Sequence, residues 1–172
     1  MSSGWKVVID FLCLALLYIL VFFKRWKAKG KSKLLISTLM FIYISLVLYV
    51  TLMPIIVSLP FIFDHPYTPM NLIPFDDYFS ERGDTICQIL LNVIMMMPFG
   101  FLLPVVKKQT ILSCLVWTFL FSLGIEVLQP LINGFRSADI TDLITNTFGG
   151  FLGYLLYLAF KPIIYKMFDH LE

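Results

Sequence analysis

Phe22-Phe23-Lys24-Arg25-Trp26-Lys27-Ala28-Lys29-Gly30-Lys31-Ser32-Lys33-Leu34-Leu35 is the stretch that decides the fold. Six basic residues in ten, Lys24 to Lys33, are set between two apolar runs, Trp5 to Phe23 and Leu34 to Ile56. Each run is long enough to cross a hydrocarbon core of about 30 Å at about 1.5 Å per residue. Three more runs follow, Ile86 to Val106, Thr110 to Leu128 and Ile140 to Phe160. The chain is therefore expected to be an all-α, polytopic membrane protein with five transmembrane helices. Composition agrees, since 59% of the 172 residues are hydrophobic, 14% are charged and the mean hydropathy is +0.88. A water-soluble surface cannot be covered on those terms, which excludes cytosolic enzymes, disordered tails, disulfide scaffolds and nucleic-acid binders.

Lys and Arg are retained on the cytoplasmic side of a membrane, so the basic connection is expected inside. Alternation then puts Lys107, Lys108, Lys161 and Lys166 inside as well, ten of the 13 basic residues in all. Asp64, Asp76, Asp77, Glu81, Asp84, Asp139 and Asp142 fall at the other side. The expected topology is N-terminus out and C-terminus in. The first span is read as a retained helix rather than a signal peptide, because its basic cluster follows the apolar run. Residues 1–70 form an N-terminal pair of helices with the basic loop and the start of the outer loop, 71–160 a core of outer loop plus three helices, and 161–172 a cytoplasmic tail. The outer connection, Val57 to Thr85, mixes prolines with large apolar side chains. It is expected either to lie in the outer interface or to pack as a plug over the bundle.

Polar side chains inside spans are costly and therefore mark candidate sites. Glu126 and Gln129 share one face of span four, Asp142 and Asn146 one face of span five, and Asn92 lies at similar depth on span three. Arg136 is the one cation near them in sequence and can share its planar guanidinium between carboxylates and an anionic ligand. Asp139 with Asp142 also has the spacing of a helix N-cap followed by an acidic N3 residue. Thr85 with Gln88 has capping-box spacing at the start of span three. Gly149 and Gly153 form a Gly-x-x-x-Gly pair suited to close helix packing. Pro98 is expected to interrupt the span-three hydrogen-bond ladder, and Met95, Met96 and Met97 beside it to face lipid. Cys13, Cys87 and Cys114 are expected to pack rather than pair. His65 and His170 fall in different compartments, and no metal-binding or cofactor-binding motif is present, so no metal and no cofactor is expected. Any chemistry would rest on the carboxylates and Arg136, with Glu126 and Asp142 as the candidate catalytic groups.

Three segments together resemble the VanZ-like membrane protein family. They are Asn71-Leu72-Ile73-Pro74-Phe75; Asn92 with Pro98-Phe99-Gly100-Phe101-Leu102-Leu103-Pro104; and Glu126-x-x-Gln129 with Arg136-x-x-Asp139-x-x-Asp142-x-x-x-Asn146-x-x-Gly149. The resemblance runs from about Asn71 to Tyr157. It implies a multi-pass protein of a bacterial cytoplasmic membrane, related to proteins that confer resistance to teicoplanin-type glycopeptides, with no settled reaction. The matched polar residues lie at the expected outer leaflet, where lipid headgroups, lipid-linked wall precursors and lipidated antibiotics are met. Asn71, Asn92, Glu126, Gln129, Arg136, Asp139, Asp142 and Asn146 are therefore the expected ligand-binding set. Three functions stay open: a binding site for a lipid headgroup or envelope precursor, an enzyme acting on a lipid or envelope glycan, and a membrane scaffold.

Overall fold

The computed structural model describes residues 4–62, 64, 66–132 and 137–169, so Arg136, His65 and His170 lie outside the described residues. Among the described residues, five helices are long and apolar enough to cross a membrane: α1 (Gly4–Lys27), α2 (Lys31–Thr51), α3 (Thr85–Val106), α4 (Ile111–Ile132) and α5 (Ile140–Asp169). Asp76, Asp77 and Asp84 lie at the bundle end where α3 begins, called here the acid end; Lys107 and Lys108 lie where α3 gives way to α4, at the basic end.

Local chemistry sets most of the helix boundaries. Gly30, at φ 101°, turns the chain into α2, a conformation that costs a glycine little. α2 stops at Thr51, short of the expected Ile56, because Pro54 supplies no N–H to continue the ladder. The freed N–H groups of Ile55 and Ile56 instead donate to the carboxylate of Asp10 on α1, at 2.7 and 2.9 Å. The expected Thr85–Gln88 box is replaced by an Asp84 cap, whose carboxylate accepts from the Cys87 N–H at 3.4 Å. Thr85 turns its hydroxyl back to the Arg82 carbonyl, and Gln88 is exposed. Asp139 caps α5 as its spacing predicts, accepting from the Thr141 N–H at 2.7 Å. α5 passes Phe160 and Pro162 and runs to Asp169.

α5 is the central helix, packed along α3 and α4, with α2 against α3 and α1 on α2. Only 6% of the most apolar window of α1 is buried within the protein, against 44% for α5, which makes α1 the peripheral helix. Three glycines bring α3 and α5 together backbone to backbone. A Cβ at Gly149 would strike the Val93 carbonyl oxygen, one at Gly153 the Met97 carbonyl oxygen, and one at Gly100 the Gly150 carbonyl oxygen. With no hydrophobic drive between helices in lipid, such close contact is the main source of association. The core beside this seam is built from Met40, Val47, Leu52, Met96, Phe99 and Ile125. Met96 is wholly buried, not lipid-facing, because its place on α3 points between α2 and α4. Tyr43 donates to the Met95 carbonyl at 2.7 Å, close to Pro98 where the ladder is interrupted. Cys114 packs against Tyr154 and Tyr157, whereas Cys13 and Cys87 are exposed rather than packed.

Candidate functional site

The polar residues of three helices and one loop meet at the acid end. Glu126 on α4, 2% exposed, accepts a hydrogen bond from the Asp139 N–H at 3.1 Å. Asp139 in turn caps α5, so the buried carboxylate and the start of α5 are fixed to one another. One turn further along α5, Asn92 on α3 donates to Asp142 Oδ1 at 2.7 Å. Another turn deeper, Asn146 donates to Ser122 Oγ at 2.9 Å, and Ser122 stands four residues before Glu126 on α4. Asn146 is 1% exposed, and among the described residues its Oδ1 has no hydrogen-bond donor. Gln129 is buried and reaches the Thr51 carbonyl at 3.5 Å, linking α4 to the end of α2.

Asn71 enters through its backbone. Its N–H donates to the Ala138 carbonyl at 2.9 Å, and its carbonyl accepts from the Ile140 N–H at 3.0 Å, a parallel bridge to Asp139. Its side chain accepts from the Ile73 N–H, which shapes the turn before Pro74. Phe75 adopts φ 59°, unfavourable for a bulky residue by about 1–3 kcal/mol, and its N–H is held by Thr141 Oγ1 at 2.9 Å. The loop is thus packed onto the start of α5, while Leu72, Ile73 and Phe79 remain 62–77% exposed and available to an interface. Of the two expectations for this loop, packing against the bundle describes its Asn71 and Phe75 backbone.

Seven of the eight expected residues fall in this one region; the eighth, Arg136, lies outside the described residues. One described cation, Arg82, reaches the edge of the cluster. Arg82 pairs with Asp76 at 3.4 Å and Asp77 at 3.5 Å, and Asp76 faces the Asn71 amide at 3.4 Å. Arg82 is two-thirds exposed, so these pairs add little stability. Among the described residues, no three His, Cys, Asp or Glu side chains converge on a possible metal position. Ser122 and Thr141 escaped the sequence reading because helical Ser and Thr usually bond their own backbone, as Thr118 and Thr145 do here. Asp10 had a legible signal, a lone carboxylate inside an apolar run, which is the signal that singled out Glu126.

The profile of the VanZ/LLP1 family matches residues 10–161. The chain belongs to the VanZ/LLP1 family. Protein VanZ of Enterococcus faecium is 37% identical over 110 residues, covering 63% of this chain and 65% of that protein's length. No solved structure matches the chain. The VanZ/LLP1 match begins at residue 10 and so takes in α1 and α2, whereas the sequence motifs begin at Asn71. The Asp10 tether between the first helix and the turn after the second is therefore inside the VanZ/LLP1 region.

Proposed function

We propose that this VanZ/LLP1 protein spans a bacterial cytoplasmic membrane with its N-terminus out and its acid end in the outer leaflet. The cluster there binds the headgroup of a lipid or of a lipid-linked envelope precursor, and its effect is to lower sensitivity to teicoplanin-type lipoglycopeptides. One observation carries the reading: Glu126, a carboxylate almost wholly buried in a membrane-spanning helix, is bonded to the first turn of α5 inside a polar network shared by three helices. Such groups are expensive in a membrane and mark sites by default. The orphaned Asn146 Oδ1 supports it, because a buried carbonyl oxygen without a donor favours a ligand that brings one. Arg136, three residues before Asp139 in sequence, is the proposed partner for the anionic part of the ligand. Orientation rests on the basic charges gathered at the opposite end.

Orientation has its own test. A Lys29→Cys variant is expected to react with an impermeant thiol reagent only after cells are opened, while the exposed Cys87 reacts in intact cells. Labelling of the introduced thiol from outside reverses the assignment. For function, the wild type and Arg136→Ala, Glu126→Ala and Asp139→Ala variants are expressed at equal membrane abundance in a susceptible Gram-positive host. Selective protection against a lipidated over a non-lipidated glycopeptide is expected from the wild type, and loss of most of it from each variant. Losing one charge-assisted hydrogen bond corresponds to about tenfold or more in ligand affinity. Variants that protect as well as the wild type would reduce the cluster to a structural tie.

A further inference from the structure

At the basic end, opposite the cluster above, α5 and the turn into α4 border an open pocket of about 380 Å³ lined by Lys108, Gln109, Tyr154, Tyr157, Lys161 and Tyr165, with Leu158 beside them. Lys108 and Lys161, on different elements, both line this one space, and among the described residues no acidic side chain does. Among the described residues, neither lysine forms a salt bridge. Like charges that share a cavity without a counter-charge repel, and a bound anion removes that repulsion.

The surrounding contacts hold the cavity's shape. Tyr154 is buried and donates from its hydroxyl to the Gln109 carbonyl at 3.3 Å, fixing α5 to the residue after Lys108. Ser113 bonds the Gln109 side chain, and Lys33 of α2 bonds the Val106 carbonyl just before the turn. Tyr154, Tyr157, Lys161 and Tyr165 recur along one face of α5, with Lys161 Nζ 6.0 Å from the Tyr165 ring centroid. Tyrosines with basic side chains at the end of a transmembrane bundle make the composition of a headgroup site, with rings at the interface and cations for the phosphate.

We propose that this cavity binds the phosphate of an anionic phospholipid, with Lys108 and Lys161 as its two cationic ligands. The site is separate from the acid-end cluster and does not depend on the function proposed for it. The test uses full-length protein in nanodiscs of phosphatidylglycerol and phosphatidylcholine, released into detergent, with retained phosphatidylglycerol counted by native mass spectrometry. A Lys108→Ala/Lys161→Ala double variant is expected to lose affinity by on the order of tenfold. A Lys24→Ala/Lys27→Ala variant removes two charges at the same end that do not line the cavity, and is expected to retain the lipid as the wild type does. Equal loss in the two variants, or undiminished retention in the first, overturns the proposal. Inorganic phosphate as competitor separates the sources: no displacement at millimolar concentration supports the lipid, and full displacement overturns it in favour of free phosphate.

Discussion

Replacing Gly153 by Leu is expected to abolish the native bundle, seen as loss of a cooperative melting transition in detergent and a steep fall in membrane abundance. A Cβ alone at this position meets the Met97 carbonyl oxygen and comes within 2.9 Å of the Phe101 nitrogen. Both obstacles are backbone, which cannot swing aside as a side chain would. Overpacking a well-filled core typically costs about 1–3 kcal/mol. Four heavy atoms driven against a helix backbone exceed that, and α5 is the helix on which α3 and α4 pack. Gly124 supplies the contrast within the same protein. Among the described residues nothing lies within 4 Å of a Cβ there, so Gly124→Leu is expected to melt within a few degrees of the wild type. A Gly153→Leu protein that melts normally would show that the α3–α5 seam is not backbone to backbone.

Asp10→Ala is the second large effect, expected to release the chain after α2 from α1. The carboxylate is 3% exposed and accepts from two consecutive backbone N–H groups. Its removal leaves both donors without their partner, at about 1–3 kcal/mol for each buried group. An apolar residue of similar size does not restore the loss, because the N–H groups remain. Asp10→Asn keeps one acceptor oxygen, so stability is expected to fall in the order Asp, Asn, Ala. Hydrogen exchange reads the geometry directly: the Ile55 and Ile56 amides are protected in the wild type and exchange fast in the Ala variant. Tyr18 still bonds Thr38 at 2.8 Å lower on the same pair of helices, so the helices are expected to part at the acid end first. Unchanged protection of both amides would remove Asp10 from this role.

These two residues mark where sequence reading succeeds and where it stops. The five helices were legible because hydropathy over about 19 residues is a bulk property of each segment. Gly149 and Gly153 were legible because their spacing alone puts them on one face. Gly100 was not read as the answering residue on α3, since that depends on the vertical register of two helices, which no single segment contains. The same limit applies to the polar cluster. Glu126, Asp142 and Asn146 stood out by their cost in lipid, but the pairings Asn92–Asp142 and Asn146–Ser122 needed the register of α5 against α3 and against α4. The end of α2 was misplaced because an apolar run continues to Ile56 while the backbone ladder stops before Pro54. Hydropathy measures what a segment dissolves in, and hydrogen bonding decides where it bends.

The paired backbone of Asn71 and Asp139 has a mechanical side. Between these two points the chain runs through the whole of α3 and α4 before coming back to bond itself. The bridge is a clasp on a long closed loop, and the Phe75–Thr141 bond is a second fastening beside it. A push on the exposed Leu72–Ile73 edge is therefore delivered to the first turn of α5, and from there to Asp142 and its Asn92 partner. Loop and helix start are thus fastened to one another beside the polar cluster.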